Sequence, residues 1–178
     1  MPELVPPTPR VRDSYVTAIG EYQAAGSHRK PRYDAVLAGG FDAHLEQLAL
    51  DATEWSARRR RADVPQTTLW WVDGARFLGE IRVRHRLTDE LRRAGGHIGY
   101  DLRPSARGQG HGGPMLAAAL PVAAGLGIEC ALLTVDAANA PSRRMIEKAG
   151  GLLWQTEDGR PVLAADPLRL RPRRERHS

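Results

Sequence analysis

The stretch Pro104-Ser-Ala-Arg-Gly-Gln-Gly-His-Gly-Gly-Pro-Met-Leu116 decides the fold. Four glycines fall within six residues, at 108, 110, 112 and 113, and a run of small apolar residues follows. Glycine removes the side chain that would keep a ligand off the backbone, at an entropic cost that a plain turn does not require. Placed just ahead of a helix, the exposed N–H groups and the helix dipole form a seat for phosphate. The segment therefore reads as strand, phosphate-binding turn, then helix.

Working outward, "HIGYDLR" (97–103) is a strand stopped by Pro104. "GPMLAAALPVAAGLG" (113–127) is a helix, with Pro114 tolerated in its first turn and Pro121 expected to kink or shorten it. "IECALLTV" (128–135) is a continuous apolar run, as in a strand covered on both faces, and Cys130 within it reads as a buried, inert thiol. "NAPSRRMIEKAGG" (139–151) is a short helix with a glycine stop. Upstream, "TTLWWV" and "RFLGEIRVRHRL" are strands joined by Asp73-Gly74, a hairpin signal. Trp70 and Trp71 are adjacent in a strand and point to opposite faces.

Before them lie a helix over Ser14–Gly26, capped by Ser14, a loop over 27–40, and a second helix from Phe41 with apolar residues at 45, 48, 52 and 55. Tyr15, Tyr22, Tyr33 and Trp55 read as core rather than ligand contacts. Residues 1–12 are proline-rich and extended. The C-terminal "LLWQTEDGRPVLAADPLRLR" is a hairpin turning at Asp158-Gly159. The fold class is α+β: a mixed, mostly antiparallel sheet flanked by helices, with one embedded βαβ unit. No linker divides the 178 residues, so one domain is expected.

Composition excludes several classes. With 42% hydrophobic and 26% charged residues this is an ordinary soluble globule. No apolar run spans a membrane, and the N-terminus lacks a signal peptide, so a cytoplasmic location is expected. One cysteine excludes an internal disulfide and a cysteine-based zinc cluster, and no metal is expected. The net charge of +5 gathers at Arg58–Arg61 and in the tail from Arg169. Neither run is interleaved with aromatics, which argues against a single-stranded nucleic-acid partner.

The glycines satisfy two spacings. Gly108-x-Gly110-x-x-Gly113 is that of a dinucleotide turn, and Asp136 stands at a suitable distance beyond it. Arg107-x-x-Gly110-x-Gly112 is that of a turn gripping the pyrophosphate of coenzyme A. Four residues separate the strand from the first glycine, the motif follows a hairpin region, and the remaining chain is short for a doubly wound fold. These facts favour coenzyme A.

Together, "HIGYDLRPSARGQGHGGPMLAAAL" and "TVDAANAPSRRMIEKAGG" resemble the GNAT superfamily of acyl-CoA N-acyltransferases, and "IRVRHRL…AGGHIGY" is similar to a bacterial branch of these acetyltransferases. The resemblance covers roughly residues 70–155. It implies that acetyl-CoA is the co-substrate and that the acetyl group passes to a primary amine of a small molecule or peptide by direct attack in a ternary complex. It places the pyrophosphate on Arg107, Gly108, Gln109, Gly110, His111, Gly112 and Gly113. The pantetheine arm would lie along Tyr100, Asp101 and Leu102, with Asn139 and Ser142 on its far side, and Arg143, Arg144 and Lys148 near the nucleotide phosphates. Homodimers are common in the superfamily, but no interface is identifiable here.

Amine attack on a thioester calls for a base, an oxyanion donor and an acid for the thiolate. His97, at the start of the strand, is the first candidate base. Glu80, a carboxylate in an apolar strand, is the second, with His85 and Asp101 behind them. The sequence departs from the family at the acid. Many relatives carry Tyr seven residues after the Asn, and Ile146 stands there. Ser142 or Tyr100 could replace it. The departure also leaves open a module that binds acyl-CoA without turnover.

Overall fold

The computed structural model describes residues 1–54, 64–157 and 160–165. Trp55, the Arg58–Arg61 run, the Asp158-Gly159 turn and the basic tail lie outside them.

The chain starts with a short strand, β1 (Glu3–Val5), and a 3-10 turn at Pro9–Val11. Three helices follow: α1 (Arg12–Ala24), α2 (Pro31–Leu37) and α3 (Phe41–Asp51). The α2 segment was expected to be loop. Pro31 at its first turn starts it, and buried Tyr33 and Val36 anchor it. Ser14 is not a cap. It lies inside α1, and its hydroxyl accepts the Phe77 N–H at 3.0 Å.

Strands β2 (Gln66–Asp73) and β3 (Arg76–Arg84) form the expected hairpin, and β4 (Ile98–Leu102) completes a four-stranded antiparallel sheet in the order β1-β2-β3-β4. Asp73 pairs with Arg76, so the loop is Gly74-Ala75, and Gly74 takes φ +56° in the first loop position. A short helix, α4 (Asp89–Arg93), capped by Thr88, precedes β4.

Register fixes what each face carries. Trp70, Glu80 and Asp101 form one cross-strand row, and Leu69, Ile81 and Tyr100 form the next, on the opposite face. The Trp70 face packs on α1–α3, joining Tyr15, Ile19, Tyr22, Tyr33 and Phe41 in one core. Trp71 and Ile81 pack on α5 (Gly112–Gly125) and join Leu116, Leu120, Leu133 and Ile146 in the other. The two tryptophans thus anchor opposite cores. Helix α5 is not shortened by Pro121 but runs on to Gly125. Losing one backbone bond costs about 3 kcal/mol. Burial of Met115, Leu116, Leu120 and their neighbours offsets it.

After α5 come β5 (Ala131–Thr134), α6 (Ala140–Lys148), β6 (Leu152–Glu157) and β7 (Arg160–Ala165). The three strands form a second antiparallel sheet in the order β5-β7-β6. The run at 128–135 is shorter as a strand than expected, and its burial alternates rather than continuing on both faces. Cys130 precedes it and is exposed, a correction to its reading as a core thiol. No helix among the described residues is long and apolar enough to cross a membrane.

The unit β4–α5–β5 carries the glycine turn. Its two strands belong to different sheets and are tied at their starts. The His97 N–H donates to the Leu132 carbonyl at 2.7 Å, and the Leu132 N–H to His97 Nδ1 at 3.1 Å. Gly96, at φ +62°, allows the approach, because a Cβ there would lie 2.3 Å from the Leu132 oxygen.

Candidate active site

The open side of the β4–α5–β5 unit is a groove of about 1090 Å³. Arg107, Gly108, Gly110, His111, Gly112 and Gly113 form one end, and Tyr100, Asp101 and Leu102 run along one wall. Asn139 and Ser142 face them across it, and Arg144 and Lys148 stand on the same helix. Of the residues expected to hold the cofactor, Gln109 and Arg143 are not in the lining. The Gln109 amide donates to the Ser105 carbonyl at 2.7 Å, bracing the turn from behind. Arg143 also turns away, pairing with Glu147 at 2.8 Å.

The glycines divide the work. Gly108 and Gly110 have φ of +73° and +83°, a region that side chains disfavour, and a Cβ on either would meet open space. The backbone is therefore presented to the groove. At Gly112 a Cβ would lie 2.5 Å from Met145 Sδ, so α5 and α6 meet there. The N-terminus of α5, Gly112 to Pro114, lines this end, where its dipole favours an anion. The lining thus offers an anion seat, a strand edge and cations at the mouth.

Asn139 caps α6, its Oδ1 accepting the Ser142 N–H at 3.2 Å. That cap aims the Ser142 hydroxyl at Tyr100, and the two hydroxyls are hydrogen-bonded. Burial, partly offset by this bond, raises the Tyr100 pKa, so the phenol stays protonated. Ile146, in the position where relatives carry Tyr, is fully buried in the core.

Beyond the groove wall lies Glu80, only 3% exposed. Its neighbour across the ladder is Asp101, which lines the groove, so the two carboxylates connect groove and interior. Arg82 donates to Asp101 Oδ2 at 2.9 Å and stands 3.6 Å from Glu80 Oε1. Burial raises the pKa of Asp101; Arg82 opposes this and Glu80 adds to it. Tyr22 and Tyr33 close the other side, their pKa values raised first by burial and then by Glu80. His28, in the loop between α1 and α2, completes the group; its nitrogen and the two carboxylates lie within 4.8 Å of one another.

His97 stands elsewhere. Its Nδ1 accepts the Leu132 amide, and its ring lines a separate cavity of about 360 Å³ with Arg92 and Cys130. Burial lowers its pKa. His85 lines the same cavity and bonds Thr67 at 2.7 Å. The strand's start, where His97 lies, is the tied end of β4, while the groove follows the opposite end. Sequence reasoning missed His28, Arg82, Arg103 and Glu21. The alternation Glu80, Arg82, Arg84 on one strand face was a legible sign that this face is not purely apolar.

The sequence model of the Acetyltransferase (GNAT) domain matches residues 29–151, and the chain belongs to that family. Solved structures share the fold. Mycobacterium smegmatis RimJ, in complex with CoA-disulfide, is 17% identical with a TM-score of 0.64, over 93% of this chain and 81% of that one. RimL, a ribosomal L7/L12 alpha-N-protein acetyltransferase in complex with coenzyme A, is 14% identical with a TM-score of 0.61, over 93% of each chain. PaiA N-acetyltransferase from Thermoplasma acidophilum, in complex with coenzyme A, is 13% identical with a TM-score of 0.54, over 93% and 99%. No curated protein matches the sequence.

Proposed function

We propose that the protein is an acetyl-CoA-dependent N-acetyltransferase acting on an amine of a small molecule or peptide. One observation carries the reading. A groove headed by a glycine phosphate seat runs along Tyr100–Leu102 and abuts, at Asp101, a buried carboxylate, Glu80. The residues fit acetyl-CoA: amides of 108–113 for the pyrophosphate, Arg144 and Lys148 for the nucleotide phosphates, and the β4 edge for the pantetheine arm.

In this reading Glu80 takes the proton that an acceptor ammonium must lose before its lone pair can attack a thioester carbonyl. Backbone N–H groups of β4 meet the charge that develops on the carbonyl oxygen. The C–N bond forms and the C–S bond breaks. Tyr100, protonated and bonded to Ser142, supplies the departing sulfur with a proton. The nitrogen loses two protons in all: the first leaves through Glu80 to water, and the second restores the proton that Tyr100 gave the sulfur.

Ile146 favours a second reading, an acyl-CoA binder without turnover. The Tyr100–Ser142 pair supports the first, because it puts a hydroxyl acid on the groove from the opposite wall. Thiol release from acetyl-CoA across a panel of amines separates them. The enzyme reading expects amine-dependent release, lowered by about 100-fold or more in Glu80→Gln. Tight acetyl-CoA binding with no release from any amine would support the binder.

A further inference from the structure

Three side chains from three separate elements converge where the groove meets the interior. His28 comes from the loop between α1 and α2, Glu80 from β3 and Asp101 from β4. One ligating atom of each lies within 4.8 Å of the other two. The hydrogen bonds of the group run elsewhere, Asp101 to Arg82 at 2.9 Å and His28 Nδ1 to Ser27 at 3.4 Å, while Arg82 Nε stands 3.6 Å from Glu80 Oε1, beyond hydrogen-bond distance. Glu80 Oε1 is buried without a hydrogen-bond partner, as is the hydroxyl of Tyr22, a residue only 1% exposed. Buried polar atoms are seldom left so, and the carboxylate oxygen points to a missing donor.

His28 is placed there at a cost. It is the one described non-glycine residue with positive φ, at 54°. Its ring stacks on Tyr22 at 3.9 Å and leans on Tyr33 at 4.6 Å. Burial lowers its pKa, which favours a neutral ring with an acceptor nitrogen.

The spacing admits a single donor shared by all three. Acceptors placed about 2.9 Å from one tetrahedral nitrogen lie about 4.7 Å apart. An –NH3⁺ group carries three N–H donors, one for each member of the group. Charge agrees: Arg82 offsets one of the two carboxylates and leaves one negative charge for the ligand. The side chain of Asp101 is 37% exposed, which opens the group toward the groove. We infer that His28, Glu80 and Asp101 form a three-acceptor seat for a primary ammonium, with His28 the residue that selects primary over N-methylated amines. The seat deepens the acetyltransferase reading, in which this ammonium belongs to the acceptor. A divalent cation is the rival occupant, and the Arg82 guanidinium beside both carboxylates opposes it by like-charge repulsion.

The test follows imidazole NMR signals of the full chain, assigned to His28 by their loss in His28→Phe, during titration with n-butylammonium or N-methylbutylammonium chloride. The seat predicts saturable shifts with n-butylammonium in the millimolar range and binding at least 10-fold weaker for the N-methyl analogue. His28→Phe keeps the stacking on Tyr22, and His28→Asn suits the backbone conformation. Followed through backbone amide signals near Glu80, both lose the discrimination. Equal binding of the two amines, or unchanged discrimination in a folded variant, overturns the seat. So does micromolar ZnCl2 binding at His28 with no response to either amine. An acetyl-CoA melting shift, measured on the same samples, reports on the acetyltransferase reading separately. Its absence beside intact ammonium discrimination would sink that reading and leave the seat.

Discussion

Glu80 shows how a single residue's surroundings follow from register. Its row on the sheet pairs it with Trp70 on one side and Asp101 on the other. A buried carboxylate is tolerated only beside charge or hydrogen-bond donors, and Arg82 at 3.6 Å meets part of that need. Glu80→Gln should lower kcat by about 100-fold or more while the KM for acetyl-CoA stays within about threefold, in steady-state kinetics. Tyr100→Phe should lower kcat and remove the alkaline limb of its pH profile. In the proposed reaction the phenol, held protonated by burial, is the acid whose loss at high pH that limb would report. An unchanged limb would assign the acid to water. Glu80 was legible in the sequence as a charge inside an apolar strand. His97 lies away from the groove, and the pattern that starts a strand with histidine does not say which end of the strand is tied to its neighbour. His28 was invisible: a histidine in a loop gains meaning only when two distant strands are brought beside it.

At the scale of elements, the glycine turn is held by α1. Glu21 accepts from both the N–H and the hydroxyl of Ser105 at 3.0 Å and pairs with Arg103, itself 6% exposed. Arg103 also donates to Ser14 at 3.0 Å and to the Phe77 carbonyl at 3.1 Å. The hydrogen bond from Arg103 is the largest cause holding the Glu21 carboxyl at about 2, below its ordinary 4.5. A depressed carboxyl stabilises the fold above its unfolded pKa, and that contribution is lost as pH falls from about 4.5 toward about 2. Glu21→Gln should therefore lower stability near neutral pH by roughly 1–3 kcal/mol, in urea unfolding. The deficit should shrink as pH falls below about 4.5. An equal deficit at both ends would remove the ion pair as its cause. Gly110→Val tests the turn itself. No heavy atom lies within 4 Å of the added Cβ, so the fold should survive, while φ +83° is strained for a β-branched residue and should deform the seat.

The turn, its helix and the flanking strands were legible because glycine spacing and apolar runs are local signals. Helix α2 was not. Its seven residues carry no strong period, and it forms because Tyr33 and Val36 find a core built by other elements. That Pro121 does not end α5 was hidden in the same way, since the packing that carries the helix past it is tertiary.

Among the described residues, two sheets meet at one corner. The His97–Leu132 bonds and the close approach at Gly96 tie β4 to β5 at their starts, and the groove lies along the rest of β4. His97→Ala should thus lower the melting temperature by several degrees and leave kcat within a few-fold of the unmodified protein, in paired thermal and kinetic assays. A large loss of kcat at unchanged stability would return His97 to the reaction. The α+β class was readable from the order of elements, but the parting of β4 from β5 into separate sheets was not, because strand pairing is decided by partners far apart in the chain.

The account stands on the groove taking acetyl-CoA through the glycine turn. Its most direct measurement is the thermal melting of the protein with and without acetyl-CoA at about 100 times its Kd, alongside Gly110→Val. Binding to the native state alone stabilises by about 2.7 kcal/mol at that excess, a rise of about 5–10 °C for a chain of this size. That rise is expected in the unmodified protein, and its loss in a folded Gly110→Val. No rise at millimolar acetyl-CoA, or an equal rise in the variant, would contradict it.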